Sequence, residues 1–270
     1  MDERFSFAAG ILIVATACDE AGTLDTAAAA SDGGGRGGGD RMVSDGGVAE
    51  DALLVPEGLI VTVLPGGNGV LTLFALTLRK GASGTGLYAA LRNDDANTRA
   101  CDPSLSVELY DKDRQPMGTW IGALNTKDYY QVVEAGTVAS CVGPGGVTMA
   151  ALTDLPSDLV IDNVGYVVYR CSYFALDVVP IDGLSIRGVV RLADPDGTAF
   201  IGTLVNRFDA AVSSPAVAVF PVNPVGRPLG VARSSGTAEI PTGGTWDFQT
   251  SAVDVPATEF VAYATAAVGP

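Results

Sequence analysis

The chain contains no histidine. Ser-His-Asp and Cys-His nucleophile activation, histidine general bases and histidine-ligated zinc are therefore all absent. Basic residues are scarce too: 16 Lys and Arg stand against 31 Asp and Glu, a formal charge of −15. That balance argues against nucleic acid, whose phosphates need cationic partners, and against electrostatic docking on anionic lipid. Excess negative charge instead suits an exported protein that must stay soluble. Four cysteines occur, at positions 18, 101, 141 and 171, and none forms a C-x-x-C pair, which disfavours a redox enzyme. What remains for chemistry is carboxylates, Lys, Tyr, Ser and oxygen-ligated metals.

The N-terminus holds an apolar run, "FSFAAGILIVATAC", thirteen mainly apolar or small residues from Phe5 to Ala17 that end at Cys18. It is shorter than the roughly 20 residues of a membrane-spanning helix but fits the core of a signal peptide. Ala15-Thr16-Ala17-Cys18 resembles a bacterial lipobox, whose Cys becomes residue one and carries diacylglycerol. Ala15 stands where that pattern usually has Leu, and "MDER" lacks the usual positive excess. Residues 19–52 come next, rich in Gly, Ala and Asp with almost no large apolar side chains. Such a stretch cannot bury enough surface to offset its chain entropy, so a disordered linker is expected. Its "GGGRGGGD" lacks the Gly-Lys-Ser/Thr ending of a phosphate loop and is read as linker.

Beyond residue 52, short apolar runs punctuated by Gly and Pro predict an all-β chain. The sequence also matches itself at a spacing of 113 residues. "GVLTLFALTLRKGASGTGLYAALRN" (69–93) lies over "DGLSIRGVVRLADPDGTAFIGTLVN" (182–206), with Leu71 on Leu184 and Asn93 on Asn206. One residue out of step, Pro103 meets Pro215, Val107 meets Val219 and Gly118 meets Gly230. "GPGGVTMAAL" (143–152) then corresponds to "PTGGTWDFQT" (241–250), the first copy carrying about fourteen extra residues around "NTKDYYQVVEAGT". The two prolines are expected at strand entrances, where a missing donor does least harm. Leu105, Val107 and Leu109, like Val217 and Val219, alternate as inward-facing strand residues.

"SVELYDKDRQPMG", the upstream "LRN" strand and the downstream "PGG" turn resemble the FxLYD domain, found in exported bacterial proteins. Leu109-Tyr110-Asp111 carries the motif, with Val107 where the family has Phe. The second copy has Pro221-Val222-Asn223 there and departs from it. The resemblance spans residues 69 to 266 as two copies. It implies immunoglobulin-like sandwiches and transfers no catalytic activity. The expected layout is a signal peptide with a lipobox-like end (1–18), a disordered linker (19–52), and two tandem immunoglobulin-like antiparallel β-sandwiches (53–180 and 181–270).

Acidic groups are the first candidates for a site. Asp111-Lys112-Asp113 offers two carboxylates where calcium demands about six oxygens or more, so a solvated hairpin turn is expected. Asp94-Asp95 and the Asp194–Asp196 pair sit beside Gly, Pro or Asn and are read as turn acids rather than a glycosidase pair. Trp120, Tyr129 and Tyr130 are the candidate recognition loop, because the extra segment is what the first copy adds to the shared scaffold. Core packing is the competing account of the same rings. Among the cysteines a Cys101–Cys141 disulfide is favoured, both residues lying near strand ends; Cys141–Cys171 is the rival. No metal or cofactor is expected.

The function expected from these features is a cell-envelope lipoprotein with a non-catalytic binding or structural role. It would be anchored through lipidated Cys18 to a bacterial membrane, facing the periplasm or exterior, with a protein or carbohydrate partner. The alternative is an envelope hydrolase using a carboxylate pair, or a Ser hydroxyl beside a buried Lys such as Lys127.

Overall fold

A computed structural model describes residues 53–54, 62–65, 69–81, 84–194, 197–255 and 259–268. The expected signal peptide, Cys18 and the linker lie outside the described residues, as does Asp196. The described chain is all-β, with one 3-10 turn at Ile161–Asn163 and no α-helix.

Among the described residues, two sets of strands form ladders that do not join across residues 182–183. In the first, β3 (Leu71–Gly81), β4 (Gly84–Asn93) and β9 (Val147–Leu155) make one antiparallel sheet. Its edge carries β1 (Leu53–Leu54), parallel to β3. A facing sheet is built on β5 (Ala100–Asp111), flanked by β6 (Pro116–Ala123) and β10 (Val164–Phe174). Here β2 (Thr62–Pro65) runs parallel along the outer edge of β10. Beyond β5 the sheet extends through β8 (Val138–Val142), β7 (Asp128–Val132) and β11 (Val178–Ile181). In the second set, β12 (Leu184–Asp194), β13 (Gly197–Asn206) and β16 (Thr245–Gln249) form one sheet. β15 (Ala232–Ser235), β14 (Val212–Val222) and β17 (Glu259–Val268) form the other.

Alternation explains why these sheets pair. Leu87, Ala89 and Leu91 of β4 face Leu105, Val107 and Leu109 of β5 across a core closed by Tyr169, all at most 2% exposed. Phe200, Leu204 and Phe248 meet Val217 and Val219 in the second core. The opposite parity is buried as well. Ala75, Ala90 and Met149, on the outer side of the first sheet, pack against Phe220, Val222 and Tyr263 of β14 and β17. Small side chains on one surface thus receive large rings from the other.

The two halves share their irregularities. Leu71 pairs with Asn93 and Leu184 with Asn206. Asn93 and Asn206, both 0% exposed, each donate two amide hydrogen bonds to carbonyls, Thr98 and Val142 in one half, Ala210 and Ile240 in the other. Gly145 and Gly243 donate to the backbone carbonyls of these asparagines from left-handed turns, φ 69° and 72°, that favour glycine. Pro103 and Pro215 do not stand at strand entrances; each is the fourth residue of a longer strand. Both follow a residue with positive φ, Asp102 at 45° and Ser214 at 51°, and a register shift lies beside each. A residue without an N–H is tolerated mid-strand where a bulge has already broken the ladder.

Candidate functional site

The acidic motif at 111–113 is a turn. Asp111 Oδ1 accepts the backbone N–H groups of Asp113 and Gln115, at 2.9 and 2.7 Å. Asn223 does the same for Val225 and Arg227 in the second half. The carboxylate is therefore replaceable by an amide and acts as a local cap. Asp95 likewise caps Asn97 and Thr98, and those N–H donors hold its carboxyl below the ordinary range. Arg92 does so for Asp94. A general acid needs the opposite shift. Lys127 is exposed, with its ammonium 5.2 Å from the Tyr263 ring. No group of three or more Cys, Asp or Glu among the described residues is arranged to hold a metal ion.

The extra segment of the first half folds as the β7–β8 hairpin, with its own small core of Cys101, Tyr130, Ala139, Cys141 and Val178. The Cys101–Cys141 disulfide staples this hairpin to β5, where the two residues face each other in register. Cys171 is free and half-buried, and burial pushes its thiol up to about 12. The three candidate aromatics face inward to different degrees. Tyr130 is 7% exposed, and Trp120 is half-buried against the first core. Tyr129 packs edge-on against Phe208, centroids 5.1 Å apart, and its hydroxyl donates to the Ala264 carbonyl at 2.6 Å. Burial raises the Tyr129 hydroxyl well above its usual value, so it remains a donor.

Tyr129 also lines a surface hollow. This cleft, about 890 Å³, runs between the hairpin and one end of the second half. Gln131, Thr137 and Ser140 line the hairpin side, and Thr265, Ala266 and Val268 of β17 line the other. Asp102, Asp182 and Asp209 set three carboxylates at it against the guanidinium of Arg207. Asp102 is anchored by accepting from the Ser140 N–H, while no described ion pair engages Asp182, Asp209 or Arg207. The surface offers hydrogen-bonding groups, a negative rim and apolar patches, which is binding chemistry.

No family model matches the chain, and no curated protein matches it. Among solved structures, red sea bream transglutaminase is similar over 74% of this chain and 31% of its own length, at 8% identity and a TM-score of 0.23. A similarity that low carries no argument about activity.

Of the three candidate aromatics, Tyr129 lines this cleft, and Trp120 and Tyr130 are not among its lining residues. Asp182, Arg207, Asp209 and Thr265 come from two connections and strand β17, far apart in the chain. Only the position of the extra hairpin, next to the joint between β11 and β12, signals where they meet.

Proposed function

We propose that this protein is an exported, lipid-anchored envelope protein whose two FxLYD-like modules, 53–180 and 181–270, bind a partner without catalysis. The observation that carries the anchoring is the apolar run ending at Cys18, followed by the 34 Gly-, Ala- and Asp-rich residues of 19–52. The Cys101–Cys141 disulfide supports export, because such bonds persist in oxidising compartments. The duplicated asparagine, glycine and proline features support two copies of one module. The mixed lining of the cleft supports a binding role over a purely spacing one.

Intact mass of the protein recovered from membranes tests the anchor. The expected species begins at Cys18 and carries diacylglycerol, and Cys18→Ser releases the protein into the soluble fraction. A chain that keeps Met1, or one cut elsewhere without lipid, overturns the lipoprotein reading.

A further inference from the structure

We propose that the cleft beside β17 is a strand-docking site that takes an extended, basic polypeptide segment. This deepens the binding role above and does not depend on the lipid anchor.

The first half shows what this framework does with its edges. β1 covers the outer edge of β3, and β2 covers that of β10, pairing Thr62–Pro65 with Tyr166–Tyr169. In the second half the strands in those places are β12 and β17, and among the described residues each has a ladder on one side only. The chain's own candidate for the vacancy is β11, which immediately precedes β12. It pairs instead with β7, Val178 to Val132 through Ile181 to Tyr129. The strand that would close the second sandwich is thus held by the first.

The open edge of β17 carries hydrogen-bonding groups aimed at the cleft. In an antiparallel pair, both backbone groups of a residue point to the same side, and the sides alternate. Ala264 accepts from Tyr129, a group outside the β14 ladder, so its carbonyl faces outward. Ala266 and Val268 share its parity, and both line the cleft. The nearby register shift places its extra residue on β14, between Ser213 and Ala216, leaving the alternation of β17 unbroken. An extended peptide can therefore add main-chain hydrogen bonds there, as in other edge-strand recognition. Side-chain selectivity follows from the rim, where three carboxylates outnumber one guanidinium and favour Lys or Arg on alternate residues.

The test is fluorescence anisotropy with the purified full chain and a labelled peptide of sequence KVKVKVK, beside its acidic twin EVEVEVE. A chitohexaose competitor reads out carbohydrate binding. The expected result is saturable binding of the basic peptide alone, weakening between about 0.05 and 0.3 M salt as screening lengths shorten. Joint substitution Asp182→Lys and Asp209→Lys weakens it by at least about tenfold. Ala266→Pro, which deletes one outward N–H, weakens it comparably at low salt, while Thr119→Ala, on exposed β6 away from the cleft, leaves it unchanged. Absence of saturation by about 1 mM peptide overturns the proposal. So does equal binding of the acidic twin, displacement by chitohexaose, or indifference to both the charge reversal and the proline. None of these outcomes alters the mass expected at Cys18, so the two readings fail separately.

Discussion

Replacing Asn93 by alanine removes three hydrogen bonds at the end of β4. The amide nitrogen donates to Thr98 O at 2.8 Å and to Val142 O at 2.9 Å, and Oδ1 accepts from the Asp95 N–H at 3.1 Å. Asn206 makes the same set, to Ala210 O at 2.9 Å, Ile240 O at 3.0 Å and from the Phe208 N–H at 2.9 Å. Leaving a buried polar group unpaired costs about 1–3 kcal/mol. The bond to Val142 in the first set, and those to Ile240 and from the Phe208 N–H in the second, are fully enclosed, and the remaining partners have some access to water. Each alanine variant should therefore lose about 2–4 kcal/mol, a large share of the roughly 5–15 kcal/mol available to a folded protein. In urea denaturation followed by circular dichroism, a loss near 3 kcal/mol moves the midpoint down by about 1–2 M with little change in slope. Asn93→Asp should not rescue, because a carboxylate cannot donate to the two carbonyls. A cost below about 0.5 kcal/mol for either alanine variant, or a difference between the two of more than about twofold, would show that these bonds do not carry the stability assigned to them.

Cutting the staple should be as visible. Cys101→Ser with Cys141→Ser frees a loop of sequence separation 40, which on chain-entropy grounds costs about 4 kcal/mol, read as a lower thermal midpoint. Phe220→Ala should cost about 3–5 kcal/mol because its ring is enclosed between the halves, whereas Glu108→Ala, at the matching place on β5, should cost under about 1 kcal/mol. Asp94 and Asp95 are held below the ordinary carboxylate value, so their stabilising contribution is present above about pH 3.9 and lost as pH falls through the lower folded values. A urea midpoint that declines below that pH, and declines less in Asp95→Asn, is the expected profile. The Cys171 thiol, raised to about 12 by burial, should resist iodoacetamide at pH 8 in the native protein and react promptly in urea, as mass spectrometry will show.

Much of the fold is legible in the sequence because burial and alternation coincide. Leu105, Val107 and Leu109 are inward in β5, as their spacing predicts, and Asp111 is a turn cap that an asparagine replaces in the second half. Two features escape that logic. Strands β4 and β14 bury both faces, so "GLYAAL" and "AVAVFPV" read as near-continuous apolar runs in which inward and outward residues look alike. A glutamate at 108 against a phenylalanine at 220 is the one-letter trace of which sheet meets solvent and which meets its neighbour. The extra segment reads as a recognition loop because aromatic residues suit both binding and packing. Gly136, with φ 65° between Val132 and Val138, is the available sign of a hairpin. The cleft has no such sign, since proximity of distant loops has no local pattern.

Only Asp182 and Gly183 separate β11 from β12. A side chain at position 183 would sit 2.3 Å from the Tyr129 ring, and the Gly183 carbonyl is gripped by the Arg207 N–H. A joint this short and this wedged gives no freedom to swing. The second sandwich is a bracket bolted to the first rather than a pendulum on a cord, so a load on one passes to the other through the β11–β7 seam. Lengthening that joint with a few flexible residues would trade a fixed mount for a loose one.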